Sequence, residues 1–293
     1  MEQTVPHVTQ AMIDLYDHYT HVGLDRRALM TGMARLTGSA AAAAAVIPLL
    51  EASPAAASIV AADDPKIASE TVHWAGGGDH QLSGYLVRPA HGAAKLGTVM
   101  VIHENRGLTE HIKDVARRMA LEGFIALAPD FLAPAGGTPT DEDKARTMIG
   151  ALVRDATVAD GVATLGYLAA LKGGNGKVGA IGFCWGGGMT NAVAVAAGRK
   201  LAVGVPYYGP QPTSVSGITA HLVLHYAGLD ERIDAGIPAY ETALKAAGVG
   251  YELYVYPGVN HAFNNDTAVG RYDKAASDLA WGRTVKALHA ALG

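Results

Sequence analysis

The chain has 293 residues, 49% of them hydrophobic, and its 23 Lys and Arg against 27 Asp and Glu give a formal net charge of −4. This is the composition of a globular protein rather than a disordered one, and the slightly acidic balance argues against a nucleic-acid or anionic-lipid partner. The single cysteine excludes an intramolecular disulfide, a four-cysteine zinc site and an iron–sulfur cluster.

The first sixty residues differ from the rest and allow two interpretations. Arg26-Arg27, the uncharged stretch Leu36–Leu50 and Ala55-Ala56-Ala57 follow one another as in a twin-arginine export signal. The apolar stretch is shorter than the roughly 20 residues of a membrane span, so we expect no integral span. Met12–Tyr19, however, has the apolar spacing of a helix, which indicates helices packed on the surface of the main domain. Periplasmic export and cytoplasmic retention both stay open.

From residue 61 onward, strand and helix patterns alternate. Two segments alternate apolar and polar residues, as half-exposed antiparallel strands do, and several later ones are continuous apolar runs typical of strands buried on both faces. Repeated strand–helix units imply a mostly parallel sheet with helices on both faces. We therefore predict that residues 61–293 form one α/β domain with an antiparallel edge. The predicted strands are 70–74, 82–88, 97–102, 124–128, 177–182, 201–205, 221–225 and 251–256; the predicted helices follow Thr109 and Cys184 and span about 141–171, 239–247 and 272–291.

The segment Gly182-Phe183-Cys184-Trp185-Gly186 lies between a predicted buried strand and a predicted helix. It has the nucleophile-elbow pattern, glycine–any–nucleophile–any–glycine, with cysteine in place of serine. Glycines leave room for the sharp turn, and the helix N-terminus favours a thiolate. A lone cysteine can also be buried and inert, but the strand–turn–helix context predicts Cys184 as a nucleophile.

A thiol nucleophile needs a base, and the base needs an orienting acid. In α/β-hydrolases the acid and then the histidine follow the nucleophile along the chain, each after a later strand. Asp230 lies 46 residues after Cys184, and His261 lies 31 residues further on, after the last predicted strand. We predict His261 as the base and Asp230 as the acid. Asp234 is close enough to be an alternative acid, in which case Asp230 only caps the following turn.

The other histidines do not suggest a metal site. His221 and His225 share one face of a strand but are about 13 Å apart, too far to bind the same ion. His103-Glu104 lacks the second histidine of a zinc-binding H-E-x-x-H helix. No glycine-rich phosphate-binding motif follows a strand either. The sequence therefore predicts neither a metal nor a cofactor.

These residues together resemble the dienelactone hydrolase family of α/β-hydrolases. The likeness rests on Gly182–Gly187 with the predicted acid and histidine in that order and spacing, and it includes Glu104–Gly107 and Ala128–Asp130. It covers roughly residues 70–290. The resemblance implies an α/β-hydrolase fold and a cysteine–histidine–aspartate triad that opens small esters or lactones through an acyl-enzyme.

The resemblance also implies roles for residues after the first buried strand. The family glutamate at this place matches Glu104 and would contact the resting cysteine, poising it until substrate arrives. The family oxyanion hole uses the backbone N–H groups just after the glutamate and just after the cysteine, which match Asn105 and Trp185. Two such donors, aimed at the forming oxyanion, are worth about 3 kcal/mol each in comparable sites.

The substrate-binding positions depart from the family. Family members that process dienelactones bind the substrate carboxylate with arginines, where this chain has Phe131–Pro134 and Ala262–Asn265. Asn265 cannot supply the bidentate grip of an arginine. Arg106 is a candidate substitute, although a solvated loop arginine is the alternative. Dienelactone as the natural substrate therefore does not follow from the resemblance.

The function predicted from the sequence is thus cysteine-dependent hydrolysis of a small ester or lactone. Two alternatives stay open: a non-catalytic α/β-hydrolase fold that binds a ligand, and a thioesterase with the same triad. The partner in each case is a small molecule, and the sequence predicts no oligomeric state.

Overall fold

The computed structural model describes residues 7–21, 23–51, 58–91 and 95–293, and an eight-stranded sheet lies at its centre. In chain order the strands are β1 (Ile67–Ala75), β2 (Gln81–Pro89), β3 (Leu96–Ile102), β4 (Ile125–Asp130), β5 (Gly174–Phe183), β6 (Val203–Tyr207), β7 (His221–Ala227) and β8 (Tyr251–Tyr256). Across the sheet the order is β1-β2-β4-β3-β5-β6-β7-β8. The β1–β2 and β2–β4 pairs are antiparallel and the others parallel. This confirms the predicted mostly parallel sheet with an antiparallel edge.

Helices cover both faces of the sheet, as predicted. They are α1 (Gln10–His21), α2 (Arg26–Thr37), α3 (Ala40–Leu50), α4 (Glu110–Leu121), α5 (Glu142–Gly150), α6 (Arg154–Ala169), α7 (Trp185–Ala197), α8 (Glu231–Asp234), α9 (Ile237–Ala247) and α10 (Lys274–Leu292). Successive side chains of a strand point to opposite faces. On β3, Val101 therefore joins one hydrophobic cluster with Val115 of α4, and Ile102 joins the other with Leu165 of α6. Burial on both faces explains why every side chain of this strand except that of Thr98 is apolar.

The prediction of one helix over about 141–171 is wrong in one respect, because the structure has two helices there. It breaks after Gly150, and α6 starts only at Arg154. Glycine is a poor helix former, and the break lets the two halves pack on different partners. In α5, Ala145 and Ile149 form a small cluster with Leu132, whereas α6 lies on the sheet.

The N-terminal helices α1, α2 and α3 share a hydrophobic cluster of their own. Helices α2 and α3 each begin with a side-chain N-cap. Asp25 accepts a hydrogen bond from the Ala28 amide at 2.7 Å in α2, and Ser39 accepts one from the Ala42 amide at 3.1 Å in α3. A left-handed Gly38 ends α2, which turns the chain into α3. The cluster members are Met12, Ile13, Tyr16, Tyr19, Leu29, Met33, Ala43, Val46, Ile47 and Leu50.

These helices contact the main α/β domain, as in the second interpretation of the sequence. Arg26, the first of the twin arginines, is the first residue of α2 and pairs with Asp143 at 2.8 Å. The Gly270 amide donates to the carbonyl of Leu49 at 2.7 Å. The predicted cleavage site at 55–57 lies outside the described residues, and the division of the chain near residue 60 stays a prediction.

No helix within the described ranges is long and apolar enough to cross a membrane by itself. Helices α2 and α3 reach the required length and hydropathy only as a pair, and that pair is bent by 109°.

His225 lies inside the domain, and we expect it to make stability sensitive to acid. Its ring nitrogens contact the Tyr256 hydroxyl at 2.9 Å and the Thr284 hydroxyl at 3.1 Å. Burial, together with the positive charge of Arg283, lowers the pKa of His225 to about 3. In the unfolded chain a histidine has a pKa near 6.5, so the unfolded state takes up the proton first.

The free energy of unfolding should therefore fall as the pH decreases from about 6.5 towards 3, by up to about 1.4 kcal/mol per pH unit from this group alone. Urea unfolding of wild type and His225→Gln at several pH values measures the contribution. We expect a shallower pH dependence in the variant. His221→Gln on the same strand is the control, because His221 is more exposed and pairs with Glu252 at the surface. Equal slopes for wild type and His225→Gln would contradict the assignment.

Candidate active site

The turn between β5 and α7 holds Cys184 in a strained backbone conformation. Its φ is 55° and its ψ is −115°, which side-chain-bearing residues rarely adopt. A β-carbon at Gly182 would overlap the backbone of Gly186, and one at Gly186 would overlap the carbonyl of His103. Glycine is thus required at both positions, because neighbouring backbone atoms leave no room for a side chain. The turn has the geometry of a nucleophile elbow.

Asp230 and His261 come together from the loops after β7 and β8. His261 Nδ1 lies 2.5 Å from Asp230 Oδ2, and the two residues are 2% and 7% exposed. Asp230 also caps the short helix α8, because its Oδ1 accepts from the Ile233 amide at 3.3 Å. Asp230 therefore caps α8 and contacts His261 at the same time. Asp234 Oδ1, by contrast, has no hydrogen-bond partner among the described residues.

The thiol of Cys184 lies beside two imidazoles. His261 Nε2, Cys184 Sγ and His21 Nε2 all lie within 4.8 Å of one another. His21 Nε2 is 3.1 Å from the sulfur, whereas His261 Nε2 has no hydrogen-bond partner in the part of the chain that the structure describes. His21 was not predicted from the sequence. No local motif marks it, because it is the last residue of α1 and is 163 positions from the cysteine.

His21 is held in place by its other ring nitrogen. Nδ1 lies 3.0 Å from the carbonyl of Asp17 and 2.8 Å from the Thr20 hydroxyl. A carbonyl can only accept, so the proton of a neutral His21 sits on Nδ1 and Nε2 is an acceptor facing Cys184. The ring meets that of His261 edge-on, with centroids 4.5 Å apart.

The two imidazoles are driven towards opposite protonation states. Burial lowers the pKa of His21 well below its usual 6.5, and the positive charges of His261 and Arg232 lower it further. Burial also opposes the charged form of His261, but the carboxylate of Asp230 and the sulfur of Cys184 outweigh it and raise the pKa of His261 to about 10. Burial acts to raise the pKa of Asp230, yet the charge and hydrogen bond of His261 bring it below its ordinary value. The site therefore combines a charged His261–Asp230 pair with a neutral His21.

The segment after β3 contributes Glu104 and Asn105 to the same cleft. Glu104 Oε2 accepts a hydrogen bond from the side-chain amide of Asn265 at 2.8 Å. The Asn105 side chain donates to the carbonyl of Thr20 at 3.2 Å, which ties the cleft to α1. Among the described residues the backbone N–H groups of Asn105 and Trp185 have no acceptor. Both are the groups that the resemblance assigns to the oxyanion hole.

Arg106 and Asn265, the two predicted substrate contacts, are engaged with the protein. Arg106 is 8% exposed; its guanidinium pairs with Glu142 at 2.5 Å and donates to the Tyr16 hydroxyl at 2.8 Å. Asn265 is buried, and besides donating to Glu104 it accepts from the Thr267 hydroxyl at 2.6 Å. Both side chains thus have protein partners for their polar atoms.

A cavity of about 470 Å³ opens onto Cys184. One wall belongs to the N-terminal helices and the loop after α1, through Tyr19, His21 and Leu24. The lining also includes two arginines, Arg146 and Arg232, at positions that the sequence did not indicate. The cavity has the size of a small-ligand site.

The strand order, the elbow after β5 and the Asp230–His261 pair after β7 and β8 are those of an α/β-hydrolase fold. Residues 82–292 match the model of the dienelactone hydrolase family. A relative described as "Putative carboxymethylenebutenolidase" from Escherichia coli O157:H7 is 32% identical over 252 residues, which cover 80% of this chain and 92% of the relative. The chain therefore belongs to the dienelactone hydrolase family, and it is a carboxylic ester or lactone hydrolase.

Solved structures agree with this assignment. A structure described as a "Putative Dienelactone Hydrolase" from Klebsiella pneumoniae subsp. pneumoniae MGH 78578 superposes with a TM-score of 0.66 at 25% identity, over 76% of this chain and 99% of that chain. A thermostable esterase from Pseudomonas putida ECU1011 superposes with a TM-score of 0.63 at 17% identity, over 98% of both chains. The second likeness concerns the fold alone.

Proposed function

We propose that the protein hydrolyses small carboxylic esters or lactones through an acyl-enzyme on Cys184, with His261 as base and Asp230 as the acid that orients it. The observation that supports this most is the buried 2.5 Å contact between His261 Nδ1 and Asp230, which leaves Nε2 unpartnered beside the sulfur. An imidazole held in this way presents one nitrogen for proton transfer.

In the first half-reaction the sulfur of Cys184 attacks the substrate carbonyl carbon. The oxygen becomes an oxyanion, which the N–H groups of Trp185 and Asn105 stabilise because their hydrogen bonds strengthen as the negative charge forms. His261 Nε2 then gives its proton to the departing alkoxide oxygen. A simple ester releases an alcohol, whereas in a lactone the new hydroxyl stays attached to the acyl group.

In the second half-reaction His261 takes a proton from water, and the hydroxide attacks the thioester carbon. The carbon–sulfur bond breaks, and the carboxylic acid leaves with Cys184 restored. Asp230 stabilises the imidazolium in both halves without taking its proton.

Glu104 is proposed to poise the resting cysteine, and Asn265 to position Glu104. The hydrogen bond from Asn265 holds the carboxylate in the cleft that Cys184 also lines. This gives Asn265 a positioning role in place of the substrate contact. Arg106, with its ion pair to Glu142, would act in the same way by fixing the segment after β3 to α5.

The test is turnover of p-nitrophenyl acetate, with mass spectrometry of acid-quenched enzyme to locate the acyl group. We expect release of p-nitrophenol and an acetyl group on the peptide that contains Cys184. Acetylation of another residue during turnover would contradict the mechanism. Faster turnover of a thioester than of the ester would favour the thioesterase alternative.

If the wild-type protein is folded but does not turn over the ester, the Glu104→Gln variant should be assayed next. If Glu104 holds the resting cysteine inactive, Glu104→Gln should hydrolyse the ester. Glu110→Gln is the matched control, since it makes the same charge change at the exposed start of α4. No turnover by either protein, together with stoichiometric ligand binding, would favour the non-catalytic alternative.

A further inference from the structure

We propose that His21, Cys184 and His261 form a binding site for one thiophilic divalent cation of the Zn²⁺ type, and that binding of this cation inhibits the hydrolase activity. The three donor atoms are two imidazole Nε2 and one sulfur, all within 4.8 Å of one another. They come from α1, the elbow and the loop after β8, so no segment of the sequence contains the site. The histidines considered in the sequence, His103, His221 and His225, are not part of this set.

The spacing of the donors fits a tetrahedral ion. Zn–N bonds of about 2.0–2.1 Å and a Zn–S bond of about 2.3 Å place neighbouring ligand atoms roughly 3.3–3.6 Å apart. The observed 3.1 Å between His21 Nε2 and Cys184 Sγ is close to that separation. The other two separations are no more than 4.8 Å, so side-chain movements of about 1.5 Å or less would complete the geometry. Two histidines and one cysteine are also a ligand set that zinc and its chemical relatives prefer.

Each imidazole already has the support that metal-bound histidines have. Such a histidine donates its other N–H to a carboxylate or a carbonyl, which fixes the ring and directs its free nitrogen at the metal. His261 contacts Asp230 through Nδ1, and His21 contacts the Asp17 carbonyl through Nδ1. A carboxylate and a carbonyl are the partners expected for metal-bound histidines, and both rings direct Nε2 towards the sulfur.

The surroundings of His261 Nε2 also fit a bound cation. It is a buried nitrogen without a hydrogen-bond partner among the described residues, on a side chain that is 2% exposed. A buried polar atom without a partner is costly. A cation between the three donors would bind this atom after displacing its proton, so one proton of the Cys184–His261 pair would be released to solvent.

The three ligands leave a fourth position open. Cys184, His21 and His261 all line the 470 Å³ cavity, so water can complete the coordination sphere. A metal there occupies the sulfur and the Nε2 that the proposed hydrolysis needs. Metal binding and turnover would therefore exclude each other, and the ion would also anchor α1 to the cleft.

The test is titration of the reduced, metal-free protein with Co²⁺, which reports tetrahedral thiolate ligation by intense visible bands and a near-ultraviolet sulfur-to-cobalt band. We expect one Co²⁺ per chain and displacement by Zn²⁺. Cys184→Ser should remove the sulfur-to-cobalt band. His21→Ala should weaken binding at least about tenfold, as loss of a metal ligand or of its support does.

His18→Ala is the matched control, because His18 is exposed on the same helix, and its affinity should equal that of wild type. If His21→Ala does not fold, thermal unfolding replaces it as the test. We then expect Zn²⁺ to raise the Tm of wild type but not that of Cys184→Ser. Absence of the sulfur-to-cobalt band, or unchanged affinity in His21→Ala, would overturn the proposal. The readout needs no turnover, so its failure is distinguishable from failure of the proposed hydrolysis.

Discussion

Cys184→Ala is expected to lower kcat/KM for p-nitrophenyl acetate by at least about 10⁴-fold, since no other group in the proposed mechanism can form the acyl-enzyme. Both cysteine and alanine carry a β-carbon, so the positive φ at this position strains them equally. The free energy of unfolding should therefore change by no more than about 1 kcal/mol. Steady-state kinetics and urea unfolding measure the two effects separately.

Cys184→Ser is the companion variant. It keeps a nucleophile on the same elbow and within 4.8 Å of the proposed base, so we expect residual turnover above that of Cys184→Ala and an acyl group attached through oxygen. Wild-type activity in Cys184→Ala would reject the cysteine mechanism altogether. Loss of activity with loss of the circular dichroism of the folded protein would show instead that the variant fails to fold.

Asp230→Asn is expected to lower kcat by about 10³–10⁴-fold, with a smaller change in KM. An amide in this place cannot stabilise the imidazolium of His261, and it favours the wrong tautomer of the ring. The fall should be nearly the same for different p-nitrophenyl esters, because Asp230 acts through His261. Kinetics over a series of acyl chain lengths checks this.

Asp234→Asn is the matched control for Asp230→Asn. The two aspartates are four residues apart, and the sequence did not distinguish them fully. Burial and the negative charge of Asp230 raise the pKa of Asp234 to about 6, but His261 pairs with Asp230. We expect Asp234→Asn to keep kcat within a few-fold of wild type. A larger loss in Asp234→Asn than in Asp230→Asn would reverse the assignment.

The sequence was informative wherever function or structure depends on local pattern. The apolar run of β3 predicts burial on both faces, and the structure places helices on both. The glycines at 182 and 186 predict the turn around Cys184, because backbone atoms approach so closely that no side chain fits. Asp230 and His261 were predicted as partners from their order after Cys184, and they lie 2.5 Å apart because strand ends of a parallel sheet meet at one edge.

Other features depend on which distant segments pack together. The break between α5 and α6 follows from their different packing partners, which the continuous apolar pattern does not reveal. Arg106 has the sequence context of a loop arginine, yet it is buried because Tyr16 and Glu142 approach it from separate helices. A linear pattern does not encode such contacts, because they form only when the helices dock.

The sequence alone thus determined the α/β sheet, the elbow and the family, since alternation, apolar runs and glycine spacing act within a few residues of one another. Only the tertiary structure decided how the N-terminal helices lie and that His21 reaches the sulfur of Cys184 at 3.1 Å. The physical reason is that α1 is amphipathic and buries its apolar face with α2 and α3, and that packing, rather than any motif, carries the last residue of α1 into the cleft.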